Sequence, residues 1–237
     1  IAGVETIFRN HGPEMVGHPK ATWGITEGNP IWEEIREVAE KTGPTFLLNV
    51  SINKNKEITG VFAGDTWMAY AQGVEFVKKV ATVSVDEPFD IVITSNSGYP
   101  LDLNLYQAVK GMSAAAQIIK DGGSIIIAAE CRDGIPDQYK DIFKKTNSPK
   151  ELLEKIQTRS FIVQDQWTAQ VQALVQLKGD VYVKSTYLTD DDIRDVLLKP
   201  CNNLEETLER LLKIYGSKAR ICVLPEGPQT IPYLRRE

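Results

Sequence analysis

The pattern of apolar and polar residues changes near Pro88, which separates two parts of the chain. In the first part, apolar residues recur at the spacing of amphipathic helices, and two apolar runs flank the polar segment Asn53–Lys56, a pattern typical of a β-hairpin. We predict helices over residues 4–11, 31–41 and 67–80, and hairpin strands over 46–52 and 57–62. The apolar stripe of the second helix, Ile31, Ile35 and Val38, is expected to face inward.

Beyond Pro88, short apolar runs without polar alternation are separated by helical stretches. Strands of this kind are typical of a parallel sheet that is covered by helices on both faces. The predicted strands are 90–94, 125–129, 181–183 and 220–224, and the predicted helices are 101–120, 136–145, 149–158, 164–177, 190–198 and 204–215. The sequence therefore indicates an α/β protein whose main domain is a doubly wound, Rossmann-like, mostly parallel sheet.

We place that domain at residues 86–224. Residues 1–85 are interpreted as part of a second, mixed α+β domain, on the side of any cofactor or metal. For the C-terminal tail, 225–237, a return to the first domain is one interpretation. Because the sequence opens on Ile1 rather than on Met, we interpret it as a piece of a longer or processed chain.

The composition excludes several classes of protein. The 237 residues carry 27 Lys and Arg against 32 Asp and Glu, a formal net charge of −5, so we expect no nucleic-acid or anionic membrane surface. No apolar run approaches the ~20 residues of a membrane span. Three widely separated cysteines, Cys131, Cys201 and Cys222, lack metal-ligand spacing. Their pattern favours a reducing compartment, and we expect a cytoplasmic protein.

A small polar loop, Ser95–Gly98, follows the first strand of the predicted sheet. Ligands of open α/β sheets bind at the carboxyl ends of the strands, where backbone N–H groups and a helix N-terminus converge. Ser95, Asn96 and Gly98 are therefore candidate cofactor contacts. The segment Glu130–Gly134 follows the next strand and either lines the same crevice or forms a simple turn.

The helix after this loop offers a candidate carboxylate clamp. Its expected core stripe is Leu101, Leu105, Val109, Met112 and Ala116. Tyr106, Gln107 and Lys110 fall together on the opposite side, where a cation, an amide and a phenol suit a carboxylate. The alternative is that these residues form only the solvated face of a surface helix.

His11 shares a helix face with Val4 and Ile7, so its imidazole is either a metal ligand or a packed core histidine. With only two histidines in the chain, a His-rich zinc cage is excluded. Trp167 aligns with Val171 and is by spacing alone a core anchor. The glutamines around it form either a source of amides for a ligand or, more commonly, a solvated face. These glutamines are Gln164, Gln166, Gln170, Gln172 and Gln176.

Three enzyme classes lack their sequence motifs. The chain has no P-loop Gly-Lys-[Ser/Thr] segment, no G-x-G-x-x-G and no G-x-S-x-G. These absences disfavour nucleotide triphosphatases, nicotinamide dehydrogenases and serine hydrolases. A non-catalytic α/β module that binds a nucleotide or a carboxylate remains an alternative to an enzyme.

Several segments together resemble the lactate racemase family, and the resemblance extends over nearly the whole chain. They are Ile1–Ile7 with His11, Gly17–Gly24, Asn49-Val50, Gly60–Asp65, Ser95–Asp102, Tyr106–Gly111 and Gln166-Trp167. The most specific is Ser-Asn-x-Gly-Tyr-Pro-Leu-Asp leading into Tyr-Gln-x-x-Lys.

The resemblance implies a racemase or epimerase of 2-hydroxy acids that uses a nickel-pincer nucleotide. This cofactor is a pyridinium dithio derivative, tied to a lysine, that holds nickel through sulfur, carbon and sulfur. The resemblance implies that His11 is the fourth nickel ligand, that Gln107 and Lys110 contact the substrate, and that Tyr106 and Trp167 lie beside it. A histidine base would take the hydroxyl proton while hydride moves to the cofactor.

The same resemblance implies what this chain lacks. The cofactor lysine and the two acid/base histidines are expected before Ile1, and His18 matches neither histidine. We therefore expect the chain by itself to be inactive. The implied partners are a small 2-hydroxy acid and the enzymes that make the cofactor, with a homo-oligomer as a further option.

Overall fold

The computed structural model describes residues 3–158 and 161–235. The first part of the chain contains four helices, one hairpin and a short strand. These are α1 (Val4–Asn10), α2 (Pro13–Val16), α3 (Pro30–Thr42), β1 (Leu47–Ile52), β2 (Ile58–Gly64), α4 (Thr66–Ala81) and β3 (Thr82–Val85). The predicted hairpin is confirmed, since β1 and β2 pair antiparallel. The carboxylate of Asp65 caps α4 by accepting from the backbone N–H of Trp67 and Met68.

The second part of the chain alternates strands and helices. Its elements are β4 (Phe89–Ser95), α5 (Leu105–Ala115), β5 (Ile119–Ala128), α6 (Asp137–Phe143), α7 (Pro149–Ile156), α8 (Gln166–Lys178), β6 (Gly179–Lys184), α9 (Asp190–Asp195), β7 (Lys199–Pro200), α10 (Leu204–Tyr215), β8 (Ile221–Leu224), a 3₁₀ turn (Gly227–Gln229) and β9 (Ile231–Leu234).

Five of these strands form one parallel sheet in the order β7-β6-β5-β4-β8. From β4 the chain winds outward to β7, and it then returns through α10 to place β8 on the other side of β4. The point between β4 and β8 is thus where the winding reverses, as in doubly wound sheets. The predicted α/β fold class is confirmed.

Two apolar clusters cover the two faces of the sheet. The larger one joins sheet residues such as Val92 and Ile127 to α5, α6, α7 and α8. The smaller one joins Ile91, Ile126 and Tyr182 to Leu211 of α10. Because successive side chains of a strand point to opposite faces, neighbouring isoleucines on β5 serve both clusters.

The predicted helix 101–120 is too long at both ends. The helix α5 begins at Leu105, where Asn104 caps it by accepting from Gln107 N–H at 3.1 Å, and it ends at Ala115. Leu101 lies outside it and is 52% exposed, so its place in the core stripe was wrong. The residues from Ile119 onward belong to β5, which starts six residues before its predicted start at 125. The early start was missed because the exposed residues 120–122 separate the buried Ile119 from the apolar run.

The strands β3 and β9 were not predicted from the sequence. They pair with each other in parallel, from Thr82 beside Ile231 to Val85 beside Leu234. The tail after β8 therefore runs beside the last strand of the segment 1–85. The proposed domain boundaries stay a prediction.

The expected inward stripe of α3 is also wrong in part. Ile35 is 54% exposed and Val38 is 50% exposed, while Ile31 is half-buried. Among the described residues, no layer covers this side of the helix. None of the described helices is both long and apolar enough to cross a membrane.

Candidate functional site

The position of α5 is fixed by the loop that precedes it. Asn96 is 1% exposed, and its side chain accepts from Gly111 N–H at 3.1 Å and donates to the Leu101 carbonyl. The helix lies so close to the strand that a Cβ at Gly111 would come within 2.6 Å of the Ser95 carbonyl oxygen. Only glycine fits there, so the loop and this glycine together hold the helix against the end of β4.

His11 ends α1 and packs against α8. Its ring centroid lies 5.9 Å from that of Trp167 in an edge-to-face arrangement, and Phe8 contacts the same indole at 5.8 Å. Burial lowers the pKa of His11 from its ordinary value, so the imidazole is neutral at pH 7. Its Nδ1 atom is buried and has no hydrogen-bond partner among the described residues.

A second contact ties the His11 segment to α8. Gln170, one turn after Trp167, is buried and donates from Nε2 to the Pro13 carbonyl at 2.8 Å. The indole of Trp167 therefore holds the imidazole while Gln170 holds the backbone that follows it.

Trp167 also connects His11 to α5. Its indole Nε1 donates to the Tyr106 hydroxyl at 3.0 Å. One residue further along α5, Gln107 accepts through Oε1 from Lys110 Nζ at 2.7 Å. This bond leaves the Gln107 amide N–H groups and the remaining ammonium N–H groups as donors. His11, Trp167 and Tyr106 thus form one series of contacts, and the Gln107–Lys110 pair follows directly after Tyr106 on α5. All five residues are half-buried except for the exposed Lys110.

The predicted cofactor contacts in the strand-end loop are occupied by the chain itself. Ser95 Oγ donates to the Pro225 carbonyl and accepts from Ser97 N–H at 3.0 Å. Gly98 adopts a left-handed conformation, with φ of 72°, and its carbonyl accepts from two following N–H groups. A cofactor role for Ser95, Asn96 and Gly98 stays a prediction, and their observed hydrogen bonds lie within the chain.

The crevice between the carboxyl ends of β4 and β8 is filled by the start of the tail. Gly227 packs so closely that a Cβ there would lie 2.4 Å from Thr94 Oγ1 and 3.3 Å from the Gly111 Cα. Doubly wound proteins use this crevice for nucleotides. In this protein the crevice is occupied by residues of the chain itself.

The segment after β5 is a turn. Gly134 N–H donates to the Cys131 carbonyl at 2.8 Å, and both residues have positive φ. Burial, together with the carboxylate of Asp102, raises the pKa of the Cys131 thiol to about 12. Asp102 accepts through Oδ2 from Glu130 N–H at 2.8 Å, whereas its buried Oδ1 has no partner among the described residues.

The expectation of a solvated glutamine face on α8 is wrong. Gln166, Gln170 and Gln172 are at most 3% exposed, because α2, α5 and α7 pack around α8. Gln172 accepts from the Tyr139 hydroxyl and donates to the Val196 carbonyl, both at 2.7 Å. These amides are internal connectors that sequence reasoning missed, since spacing alone does not distinguish a buried amide from an exposed one.

The described residues contain no cluster of three or more His, Cys, Asp or Glu side chains suited to a metal ion. His11 is thus a single donor rather than part of a protein cage. A neutral imidazole with a free lone pair suits one coordination position of a metal whose other ligands come from a bound group. The residues present therefore fit the nickel-pincer nucleotide in this one respect.

The fold and the site define a doubly wound α/β protein with a five-stranded sheet, in which the His11 imidazole is linked through Trp167 to the helix that carries the Gln107–Lys110 pair. The model of the lactate racemase C-terminal domain matches residues 85–231. The chain is 39% identical over 98% of its length to lactate racemase from Thermoanaerobacterium thermosaccharolyticum, and 36% identical over 96% to that from Lactiplantibacillus plantarum. The chain belongs to the lactate racemase family.

Solved structures agree with this assignment. The whole chain superposes on the lactate racemase apoprotein from T. thermosaccharolyticum with a TM-score of 0.93 and covers 57% of that chain. A Thermotoga maritima protein that is 18% identical superposes with a TM-score of 0.62 and shows the fold alone. The chain spans about half the length of its relatives, 55% and 54% for the two lactate racemases.

Proposed function

We propose that this chain forms one wall of the active site of a racemase or epimerase that acts on lactate-like 2-hydroxy acids. The observation that carries the proposal is the series of contacts from His11 through Trp167 to Tyr106, because the next residue of α5, Gln107, forms the pair with Lys110. A metal-binding imidazole connected to a carboxylate clamp matches the needs of a reaction at the carbon beside a carboxylate.

Each residue has a separate task in this proposal. Lys110 and Gln107 bind the substrate carboxylate, through the ammonium charge and an amide N–H. Tyr106 and Trp167 form the wall beside the reacting carbon and keep water away from it. His11 would hold the nickel through a lone pair of its neutral imidazole, and Trp167 fixes the orientation of the ring.

When bound, the nickel-pincer nucleotide would supply a carbon that accepts and returns hydride. The residues of this chain bind and orient the substrate around that chemistry. His18 is exposed, and its Nδ1 accepts from Lys20 N–H at 3.2 Å, so we do not assign it to proton transfer. The proton-transferring groups are proposed to come from polypeptide outside these 237 residues.

The filled crevice between β4 and β8 favours this enzyme over a module that binds a nucleotide in that crevice. The two proposals also differ in stereochemistry, because only the enzyme interconverts the two forms of a 2-hydroxy acid.

The experiment that tests the proposal measures nickel content and racemisation together. The chain would be produced joined to the part of the T. thermosaccharolyticum enzyme that it does not span, along with the cofactor-making enzymes. We expect the joined protein to contain one equivalent of nickel and to interconvert D- and L-lactate, or the two forms of another 2-hydroxy acid. A nickel-loaded protein that interconverts no 2-hydroxy acid contradicts the proposal.

Two substitutions separate the assigned tasks. Lys110→Ala should raise KM by about tenfold to a hundredfold and lower kcat, because a charge-assisted hydrogen bond to a carboxylate is lost. His11→Ala should instead lower the nickel content. An unchanged KM in the first variant would remove Lys110 from the clamp.

A further inference from the structure

One face of the β1–β2 hairpin is apolar and exposed. The strands pair in a register that places Leu48 beside Ala63, Val50 beside Val61, and Ile52 beside Ile58. Directly paired residues share a side of the hairpin, and side chains alternate along each strand. A β-bulge at Ser51/Ile52 interrupts the alternation, so that Ile58, paired with Ile52, lies on the same side as the other residues. We call it the hairpin face: Leu48, Val50, Ile52, Ile58, Val61 and Ala63.

The opposite side of the hairpin is the covered one. Phe62 packs against Phe76 of α4 with ring centroids 5.6 Å apart, and a Cβ at Gly73 would lie 3.3 Å from the Phe62 ring. Leu47 and Ser51 on the same side are half-buried, whereas Asn49 is exposed. Most apolar residues of the hairpin therefore lie on the side that α4 does not cover.

The exposure of the hairpin face is large. Leu48 is 66% exposed, Ile58 is 64% and Val61 is 60%. Contiguous apolar patches of this kind on folded proteins mark surfaces that are covered by other polypeptide. A two-stranded hairpin is by itself only marginally stable in water, so any further packing on its exposed side would stabilise it.

We propose that the hairpin face is a docking surface for polypeptide homologous to the part of lactate racemases that this chain does not span. The T. thermosaccharolyticum enzyme retains the fold of this entire chain, since all of the chain superposes with a TM-score of 0.93, yet the match covers 57% of that protein. A little under half of the relative therefore remains available to cover the surface. The inference rests on family membership and not on the proposed reaction.

The apolar character of the hairpin face determines which side chains the docking segment presents to it. The docking segment presents apolar side chains to the hairpin face and places no charge against its centre, because an unpaired charge buried there would be strongly destabilising. It forms a second layer on the hairpin, opposite α4.

Cysteine labelling tests this proposal without nickel, substrate or activity. Val61→Cys is introduced into the 237-residue chain and into the same chain joined to the unspanned part of the T. thermosaccharolyticum enzyme. A maleimide of moderate size should label Cys at this position about tenfold or more slowly in the joined protein, because labelling then requires local opening. Lys54→Cys, at the exposed hairpin turn, is the matched control and should be labelled equally fast in both proteins.

The other possible results of the labelling experiment also decide whether the docking proposal stands. Equal labelling of Val61→Cys in the two proteins overturns the proposal. Labelling that is already slow in the 237-residue chain, and that becomes slower with rising protein concentration, assigns the surface to a second copy instead. If Val61→Cys disturbs folding of the joined protein, hydrogen exchange of the unsubstituted proteins is compared over Leu47–Gly64. Amides of this segment should exchange more slowly when joined, and equal exchange overturns the proposal.

Discussion

The two parts of the chain differ in how completely their apolar residues are buried. Among the described residues, Val16 and Ala69 are the buried apolar side chains before β3, whereas those after it run from Ile91 to Leu224 and fill both faces of the main sheet. Both parts have amphipathic elements, so the difference lies in the number of layers. Within the described ranges, the main sheet has helices on each face, whereas the hairpin is packed by α4 on one side. Local sequence specifies an element, but a buried core also requires its covering layer.

The largest expected effect tests this difference directly. Ile126→Ala should lower the free energy of unfolding by about 2–5 kcal/mol, because it removes a fully buried side chain between Tyr182 and Leu211. Leu48→Ala on the hairpin face should change it by less than about 0.5 kcal/mol in the 237-residue chain. Urea unfolding followed by circular dichroism measures both. Similar losses in the two variants would show that the hairpin face is buried in solution.

The sequence predicted the bounds of some helices and strands correctly and missed others. The bounds of α10 were predicted at 204–215, as found, because Asn203 caps its start and Gly216 ends it. The start of α5 was missed because Gly98–Asn104 is an irregular loop whose apolar residues mimic a helical stripe. The strands β3 and β9 were missed because each has four residues and is defined only by its distant partner.

The candidate site shows the same limit. The helical spacing of Tyr106, Gln107 and Lys110 was visible, since neighbours on one helix are fixed by its pitch. The contact between His11 and Trp167 joins α1 to α8, and no local pattern predicts it. The burial of Gln172 was hidden for the same reason, because it depends on Tyr139 and Val196 from other elements.

The next effect concerns this buried amide network. Gln172→Leu should lower the free energy of unfolding by about 1–3 kcal/mol, because the Tyr139 hydroxyl is left buried without its acceptor. Adding Tyr139→Phe should recover part of that loss, since the orphaned hydroxyl is then removed as well. Thermal and urea unfolding of the two single variants and the double variant form the cycle. Gln164→Leu, at an exposed position, is the control, and strictly additive losses would contradict a shared network.

The smallest effect concerns the contact between His11 and Trp167, which joins the two parts of the chain. Burial lowers the pKa of His11 below its ordinary value of 6.5, so below about pH 6.5 the unfolded chain takes up a proton that the folded chain resists. The stabilisation from the neutral imidazole is therefore present above pH 6.5 and is lost as the pH falls towards the lowered pKa. Wild type should lose stability relative to His11→Gln over this range, as measured by urea unfolding between pH 5 and 8, with His18→Gln as the matched exchange of an imidazole for an amide. If the wild type instead gains stability on acidification, the folded chain holds His11 in its charged form. A charged imidazole is protonated at both nitrogens and has no lone pair to offer nickel.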